Sequence, residues 1–251
     1  MAFPNIFFGP EQEPFNAYAT TDRQGHYAGQ LLNTGDGRWF RWAKNGATLL
    51  VAGDVLQASA PITNHVGQTP TSAGAVGDTT VTLTIGATAI TADQYRDGTM
   101  LIEDGTGFGY AYPLDTHIAY SASATTVAIP FKRGVTLQVA VPTTANTVTL
   151  VSNSYVGVIQ APTTATAQIV GVAVKPLAAN AWGWIQVRGP AAVTTSGTLV
   201  IGNPAGVGGA AGAVLPIPTT FTANWTTQRV GQVMRVAATT KKSLIFLDGF
   251  P

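Results

Sequence analysis

Apolar and polar side chains alternate over short stretches along most of the chain, and residues typical of turns separate these stretches. Alternation with a period of two places successive side chains on opposite faces, so each stretch predicts a β-strand. The predicted strands cover residues 38–42, 47–51, 54–58, 80–85, 99–102, 109–113, 126–129, 147–151, 155–160, 169–174, 181–188, 198–201, 230–237 and 243–247. Only residues 91–95 resemble a helical turn, with Thr91 as its N-cap. The pattern therefore predicts an all-β fold, made of β-barrel or sandwich domains of short antiparallel strands with an extended N-terminal arm.

The stretch 181–188, which we call the tryptophan strand, is the one around which the rest of the chain is predicted to pack. Trp184 and Gln186 alternate there with Ile185 and Val187, so the two faces of the strand carry different side chains. One face is apolar and is expected to lie in the core.

Glycines occur at two informative positions near these residues. Gly183 lies between two tryptophans, and a glycine inside a strand indicates a bulge or the close approach of another chain. Gly189 and Pro190 follow the strand, which we expect to end there because proline has no N–H for the next ladder bond. Trp184 is expected to be largely buried, in the core or in a subunit interface.

Breaks in the pattern predict three segments. Residues 1–45 are predicted to form the N-terminal arm and a first hairpin, because prolines interrupt the arm and Asp36 precedes a glycine at the hairpin turn. Residues 46–160 are predicted to form a β-rich domain or an inserted β-module. Residues 161–251 are predicted to form a C-terminal β-barrel domain, with which residues 46–62 can pair.

Aromatic side chains are concentrated in the arm, where they need apolar surroundings. They can pack on the chain's own domain or dock on a neighbouring subunit, since aromatic anchors are favoured at the centres of interfaces. The candidate interface residues are Phe3, Phe7, Phe8, Phe15, Tyr18, Trp39, Trp42 and Trp182.

The chain is poor in charge. Charged residues make up only 10% of it, against about 25% in ordinary soluble domains, and the mean hydropathy is +0.21. An exposed surface normally carries more charge for solubility, so we infer that partners cover much of this surface. A surface coated with Thr, Ser and Gly is the alternative.

The charges that are present are unevenly distributed. Residues 1–115 hold eleven of the twelve acidic residues and five of the thirteen basic ones, a net charge of −6, whereas residues 116–251 carry +7. Halves of opposite charge can pair within a chain or between copies in an assembly. The basic residues are dispersed rather than clustered with aromatics, so the sequence does not favour nucleic-acid binding.

Several kinds of site and segment are not expected from this sequence. The sequence contains no cysteine, so disulfide bonds and metal sites with thiolate ligands are excluded. The first ten residues lack a basic segment and contain prolines, unlike a secretory signal. The weakly polar stretch 206–218 is too short and too rich in Gly and Pro for a membrane helix.

The three histidines predict no metal site. His26, His65 and His117 are far apart, and none belongs to a spacing typical of zinc ligands. The glycines within 105–109 resemble a nucleotide-binding loop only superficially, because a strand follows them instead of a phosphate-binding helix. We interpret these glycines as part of a hairpin.

Paired carboxylates are the remaining catalytic candidate, since glycosidases need two at a set separation. Glu103, Asp104 and Asp115 are close in sequence. Adjacent strand residues face opposite sides, however, and a turn at Asp104 explains that aspartate without catalysis. We therefore assign no catalytic, metal-binding or cofactor-binding residue.

Two tryptophans offer a possible binding platform. Trp182 and Trp184 share one face of the tryptophan strand and can stack on sugar rings, as in a lectin or a fibre tip. Burial in the core or in an interface is the alternative, because aromatic side chains contribute large areas there.

Residues 27–57 resemble the N-terminal part of the capsid-associated structural proteins of tailed bacteriophages. The blocks that carry this resemblance are GDGRWFRWA at 35–43 and GATLLVAG at 46–53. Residues 94–112 are similar to an inserted β-module in the same group.

The C-terminal part resembles the β-barrel of phage head decoration proteins. The blocks that carry this resemblance are VGVAV at 170–174, GWIQVRGPA at 183–191 and RVGQV at 229–233. No functional site residue is matched, because this family has no catalytic site to carry over.

The resemblance implies a cement protein that binds the major capsid protein on the outer face of an expanded capsid. It implies a homotrimer, made in the host cytoplasm and carried in the virion, with no enzymatic activity, no cofactor, and neither nucleic acid nor membrane as a partner. Two alternatives remain. One is a phage tail or fibre protein that binds host glycans through Trp182, Trp184 or the glycine-rich loop 202–212; the other is a glycan-cleaving enzyme that uses Glu103 or Asp115.

Overall fold

The computed structural model describes residues 6–16, 23, 25–217, 227–238 and 241–250. Their regular structure consists of β-strands and of two single 3-10 turns, at Glu13–Phe15 and Thr63–His65. This confirms the predicted all-β class. The extended N-terminal arm stays a prediction, and residues 1–5 and 17–22 lie outside the described part of the chain.

The chain forms two units, of which unit 1 comprises residues 1–60 and 154–251 and unit 2 comprises residues 61–153. The strands of unit 1 are β1 (Ile6–Phe8), β2 (Leu31–Asn33), β3 (Trp39–Asn45), β4 (Val55–Gln57), β10 (Val156–Gln160), β11 (Ile169–Ala173), β12 (Trp182–Thr194), β13 (Pro204–Val207), β14 (Val214–Pro216), β15 (Arg229–Arg235) and β16 (Lys242–Asp248). The strands of unit 2 are β5 (Thr80–Leu83), β6 (Thr99–Asp104), β7 (Ala111–Pro113), β8 (Val127–Pro130) and β9 (Thr147–Val151). In sequence, unit 2 is inserted between β4 and β10 and lies within the predicted segment 46–160.

Five strands of unit 1 close into a first ring. β3, β10, β4, β11 and β12 pair in that order, and β12 pairs with β3. Neighbours in this ring are antiparallel except for β3 and β10. Buried side chains that pack in its core include Phe40, Trp42, Leu56, Val158, Val170 and Trp184.

A second ring of strands shares β12 with the first. The C-terminal half of β12 pairs with β16, which is followed by β15, β13 and β14. A bridge between Thr195 and Val214 returns β14 to the residue that follows β12, so this set of strands also closes. The core of the second ring includes Val193, Val207, Val230, Ile245 and Leu247.

The strand β12 does not end at Pro190. It runs for thirteen residues, and Pro190 lies opposite Phe246 on β16. Alternate residues of a strand direct their N–H and C=O groups to the same edge, and Thr194 donates its N–H to Gly53 rather than to β16. The missing N–H of Pro190 therefore faces away from β16, and no ladder bond to that strand is lost. The predicted stop is wrong for this reason.

Gly189 and Gln186 shape the chain where β12 passes from one ring to the other. Gly189 has a φ of +86°, and a Cβ on it would lie 2.6 Å from the carbonyl oxygen of Gly37, so glycine is required there. The Nε2 of Gln186 donates hydrogen bonds to the carbonyl oxygens of Arg188 and Pro190, at 3.1 and 2.9 Å. The buried amide thus satisfies two backbone acceptors at this bend.

Leu177, in the connection between β11 and β12, explains two features of the sequence. Its backbone exchanges hydrogen bonds with Leu50, and its carbonyl oxygen accepts a bond from Nδ2 of Asn45 at 2.8 Å. Residues 47–51 therefore turn towards this connection, and the strand predicted for them is wrong. The side chain of Leu177 also lies 2.9 Å from the position of a Cβ on Gly183, so close packing accounts for that glycine.

Further differences from the predicted elements occur in short segments. Residues 91–95 form turns rather than a helical turn, with the N–H of Thr91 donating to Oε1 of Gln94 at 2.8 Å. Residues 198–201 form no strand. The predicted loop 202–212 contains β13, which pairs with β14 and β15.

Unit 2 contains two small sheets of its own. β6 lies between β7 and β9, and β5 pairs with β8. Tyr95 is buried with the apolar side chains of these strands. The core of unit 2 includes Val81, Leu83, Ile90, Met100, Ile102, Tyr112, Leu114, Ile129, Phe131 and Leu150. A core of this kind is what an independent domain possesses.

Candidate interaction surfaces

The strand β1, which we call the arm strand, presents apolar side chains at the edge of a sheet. Among the described residues it pairs only with β2, in parallel, with Ile6 opposite Leu31 and Phe8 opposite Asn33. Ile6, Phe7 and Phe8 are all exposed, Phe8 by 72%. An edge strand offers its outer N–H and C=O groups as a template for another chain. The arm strand is therefore an apolar edge suited to association.

The candidate interface residues fall into two groups in the structure. Phe7, Phe8 and Phe15 keep exposed side chains. Trp42 and Trp182 are buried and pack within the core of the first ring. Only the first group can contact a partner without rearrangement of that core.

Trp39 is intermediate between these groups. It is partly buried, and the guanidinium of Arg188, which pairs with it across β3 and β12, lies 4.9 Å from the centre of its ring. Phe3 and Tyr18 lie outside the described residues.

The tryptophans of β12 are packed rather than open to solvent. Trp42 stacks on Trp182 with ring centroids 6.3 Å apart and meets Trp184 edge-on at 5.0 Å. The guanidinium of Arg23 lies 4.9 Å from the ring centre of Trp182. With 5% and 2% of their surfaces exposed, Trp182 and Trp184 do not form a platform for a sugar. The predicted burial of Trp184 is confirmed.

His26 packs on the same aromatic cluster. Its ring lies 4.9 Å from that of Trp42 and 5.1 Å from that of Trp184. Its Nδ1 lies 2.9 Å from Oε1 of Gln30, so Nδ1 donates to an oxygen that can only accept. These contacts give the histidine a packing role in the first ring.

A cleft of about 220 Å³ opens beside the C-terminal half of β12. Phe15, Val174 and Ala192 contribute apolar walls, whereas Arg38 and Lys242 contribute positive charge. Nothing in the charge pattern of the sequence connects these two basic residues, because they come from the first hairpin and from β16. The fold brings them to one apolar depression.

The two basic residues of the cleft are held differently. Nε of Arg38 lies 2.6 Å from Oδ2 of Asp36, and its guanidinium lies 5.8 Å from the ring centre of Phe15. Nζ of Lys242 donates to Oγ1 of Thr194 at 2.9 Å, and Lys242 forms no ion pair with a described residue. The lysine therefore brings to the cleft a positive charge with no direct carboxylate contact in the described chain. The carboxylate of Asp54 is linked to it only through Oγ1 of Thr194, which lies 3.4 Å from Oδ1 of Asp54.

Residues 105–110, which we call the β6–β7 loop, carry an exposed aromatic side chain on unit 2. Phe108 is 74% exposed and Tyr110 is 45% exposed. The side-chain amide of Asn146 fixes the loop from beneath, because it accepts the N–H of Thr106 at 3.2 Å and donates to the carbonyl oxygen of Thr106 at 2.8 Å. The loop is thus held in one shape while Phe108 remains open to solvent.

Glycines make this loop geometry possible. Those at 105, 107 and 109 have φ angles of +80°, +80° and +85°, which other residues adopt only under strain. A Cβ on Gly107 would also lie 2.5 Å from a methyl group of Val139. The alternation of glycine with Thr, Phe and Tyr in the sequence is the local signal for this exposed aromatic side chain.

Acidic side chains flank the β6–β7 loop. Glu103 and Asp104 are exposed, and Oδ1 of Asp104 accepts the N–H of Gly105 at 2.7 Å. Oδ1 of Asp115 likewise accepts the N–H of Thr116 at 2.7 Å. Asp104 and Asp115 therefore stabilise turns. Within the described residues, no group of three His, Asp or Glu side chains is placed to hold a metal ion.

The histidines of unit 2 use both ring nitrogens in hydrogen bonds. Nε2 of His117 accepts the N–H of Tyr95 at 2.9 Å, and its Nδ1 donates to the carbonyl oxygen of Ile118 at 2.8 Å. Nδ1 of His65 lies 2.5 Å from the hydroxyl oxygen of Tyr95, and its Nε2 donates to the carbonyl oxygen of Thr88 at 2.8 Å. The contacts of His117 specify the tautomer with its proton on Nδ1, those of His65 require a proton on Nε2, and neither ring has a nitrogen left for a metal.

Burial perturbs the pKa values of Tyr155 and Lys175 in unit 1. Burial raises the pKa of Tyr155 to about 12, and the nearby positive charge of Arg41 opposes this shift. The guanidinium of Arg41 lies 5.3 Å from the ring centre of Tyr155. Burial also lowers the pKa of Lys175 below its ordinary value. Burial is the main cause of both shifts, and Arg41 is the one charged group of the described residues that contributes to either.

No family model matches this chain, and no curated protein or solved structure matches it. In the portion of the chain that the structure describes, no helix is long and apolar enough to cross a membrane.

Proposed function

We propose that this protein is a structural component of a tailed-bacteriophage virion, where it decorates and stabilises the outer surface of the capsid. Its partners in this role are the major capsid protein and further copies of itself. It is made in the host cytoplasm and joins the expanded capsid. The resemblance of residues 27–57 and 183–191 to phage structural proteins motivates the proposal, and the exposed arm strand is the structural observation that supports it most directly.

The arm strand suggests how the capsid is bound. A strand of the capsid protein can add to its outer edge, with backbone hydrogen bonds supplying affinity and side-chain contacts supplying specificity. Burial of Ile6 and Phe8 in such a contact removes apolar surface from water. Each fully buried side chain of this kind contributes about 1.5–3 kcal/mol.

The low charge of the chain fits the same role. Decoration requires many copies to cover a large surface through apolar and backbone contacts, and 10% charged residues leave much of the surface suited to such contacts. Stabilisation follows by mass action, because a protein that binds the assembled capsid and not its dissociated subunits favours the assembled state. This role needs neither a cofactor nor a catalytic residue.

The proposal is tested with capsids of the phage that encodes this chain, prepared without the protein. The purified wild-type chain should co-sediment with expanded capsids at copy numbers comparable to those of the major capsid protein. Phe8→Asp should reduce binding at least tenfold, because it places a charge in the buried contact. Ile201→Asp is the matched control, since Ile201 is 64% exposed in the same unit but lies outside the arm strand.

Two results would overturn this assignment. One is a count of only a few copies per virion, which is incompatible with decoration. The other is equal capsid binding by the wild-type chain and Phe8→Asp, which would exclude the arm strand as the contact. Immunogold labelling that places the protein on the tail would favour the fibre alternative.

A further inference from the structure

We propose that Phe108 of one copy of this chain inserts into the cleft of unit 1 in a second copy. The contact joins unit 2 of one molecule to unit 1 of another. It deepens the self-assembly included in the proposed function, but it does not depend on capsid binding because both surfaces belong to this chain.

Phe108 has the properties of an interface anchor. It is 74% exposed, although an aromatic ring gains most when it is removed from water. The amide of Asn146 and the left-handed glycines around Phe108 hold its loop in one conformation. Little conformational freedom is lost when such a preorganised loop binds, so more of the contact free energy appears as affinity.

The cleft has the size and chemistry to receive this ring. Its volume of about 220 Å³ exceeds the roughly 150 Å³ of a cavity known to bind benzene. Phe15, Val174 and Ala192 supply apolar surface, and Phe15 is 41% exposed, so part of its ring can contact an incoming aromatic side chain. A phenyl ring therefore finds in the cleft the contacts that it lacks on the β6–β7 loop.

The charges on the two surfaces are complementary. Glu103 and Asp104 flank the β6–β7 loop, and both are exposed. Lys242 at the cleft forms no ion pair with a described carboxylate, and Arg38 forms an ion pair with Asp36. The same complementarity extends to whole units, because residues 61–153 carry a net charge of −3 and the remainder of the chain carries +4. Complementary charge at the rim selects the partner and its orientation.

This occupant is favoured over a membrane. The carboxylates beside Phe108 would be repelled by anionic lipid headgroups, whereas the ordinary signature of membrane-surface binding is an aromatic flanked by basic residues. A second copy of the chain supplies both an apolar depression and positive charge.

The contact is head-to-tail, since different surfaces of the two copies meet. Such contacts close into a ring when the rotation between neighbours divides a full turn, and they otherwise extend into a filament. Each molecule then carries one donor surface, the β6–β7 loop, and one acceptor surface, the cleft. A closed trimer would satisfy all three loops and all three clefts.

Complementary defects test the contact directly. Phe108→Ser removes the donor and keeps the cleft, whereas Ala192→Trp fills the cleft and keeps the donor; Ala192 is exposed at the cleft wall. In sedimentation velocity of the full chain, the wild type should form a closed oligomer or larger assemblies. Each variant alone should be a monomer, and an equimolar mixture should form a dimer and nothing larger.

A control variant and a charge exchange complete the test. Ile118→Ser removes another side chain of unit 2 that is 70% exposed, and it should assemble as the wild type does. Lys242→Glu should weaken assembly at least tenfold, and mixing it with Glu103→Lys should restore association. Circular dichroism of each variant establishes that it is folded before sedimentation is interpreted.

The inference is overturned if the wild type remains monomeric at all accessible concentrations, or if folded Phe108→Ser assembles like the wild type. It is also overturned if the equimolar mixture of the two defective variants yields no dimer. Capsid co-sedimentation by Phe108→Ser separates the two proposals. If this variant no longer self-associates but still binds capsids, Phe108 is needed for the contact between copies and not for capsid binding.

Discussion

The side-chain amide of Gln186 donates a hydrogen bond to the carbonyl oxygen of Pro190, four residues further along the same strand, at 2.9 Å. A second bond from the same nitrogen reaches the carbonyl oxygen of Arg188. These bonds lie at the bend where β12 leaves the first ring and enters the second. The bend allows one strand to serve two cores.

Gln186→Leu should destabilise the protein by about 1–3 kcal/mol, because it removes the donor of two part-buried hydrogen bonds to the carbonyl oxygens of Arg188 and Pro190. The free energy of unfolding in urea measures the effect. Gln138→Leu is the control, since the exposed side chain of Gln138 bonds only to the neighbouring Thr136, and it should change stability by less than about 0.5 kcal/mol. Equal stabilities of the two variants would show that the amide of Gln186 is not needed at the bend.

Trp184→Ala should lower the free energy of unfolding by about 3–5 kcal/mol, the usual effect of removing a large aromatic from a core. Trp184 is 2% exposed and meets Trp42 directly across the strand pair. Trp39→Ala should have a smaller effect because Trp39 is only partly buried. Thermal and urea unfolding would compare them, and similar losses from both variants would contradict the packing described for the first ring.

His117→Ala should expose a specific defect in unit 2. The N–H of Tyr95 would lose its acceptor in a buried site, so stability should fall by about 1–3 kcal/mol. Hydrogen exchange provides the sharper measurement, because the Tyr95 amide should exchange faster. His65→Ala removes the partner of the Tyr95 hydroxyl instead, so the Tyr95 amide should exchange more slowly in this variant than in His117→Ala. Identical exchange rates in the two variants would contradict the hydrogen bond from the Tyr95 N–H to Nε2 of His117.

Asp36 should contribute stability at neutral pH that disappears in acid. Partial burial acts to raise the pKa of Asp36, but hydrogen bonds from Thr34 and Arg38 and the charge of Arg38 together lower it below its ordinary value of 3.8. A lowered pKa in the folded state means that the carboxylate stabilises the fold above pH 3.8, and that this contribution is lost as the pH falls through the lowered value.

The corresponding measurement compares wild type and Asp36→Asn. At pH 7 the wild type should have the higher free energy of unfolding, and the difference should shrink as both are titrated below pH 3.8. The partly exposed ion pair to Arg38 should make the difference smaller in high salt. A difference that is constant from pH 7 to acid would show that ionisation of Asp36 does not contribute.

The sequence predicted the strands best where alternation was regular and side chains were large. The strands β3, β9 and β16 lie close to their predicted positions. Burial alternates throughout β16 and over the first half of β3, as in the pattern, whereas β9 buries three consecutive residues. The predicted strand 47–51 is wrong because Leu177, from a distant part of the chain, exchanges backbone hydrogen bonds with Leu50, while Nδ2 of the nearby Asn45 donates to the carbonyl oxygens of Thr48 and Leu177. Such long-range bonds leave no local signal.

Small residues concealed another strand. The sequence predicts a loop where β13 lies because Gly and Ala dominate its surroundings, yet Gly206 is buried where Thr227 and Ile217 leave no room for a Cβ. In this case glycine marks close packing rather than a turn. A single sequence does not distinguish the two.

The candidate surfaces were only partly accessible to sequence reasoning. The sequence indicates Phe7, Phe8 and Phe15 as candidate interface residues, and the structure leaves them exposed. Their place in an interface stays a prediction. The cleft joins Arg38 and Lys242, which are distant in sequence and meet only because β12 brings the first hairpin and β16 together.

Because both rings contain β12, the position of this strand in the sequence determines when each ring can be completed during translation. Unit 2 leaves the ribosome before β10, and the first ring acquires its last strand when β12 emerges. The second ring must wait longer, since β13 to β16 all follow. During that interval Ala191 and Val193, which are buried in the finished protein, have no completed core to cover them. Folding during translation is therefore expected to proceed from unit 2 to the first ring and then to the second, with the unfinished edge of β12 as the segment most exposed to aggregation.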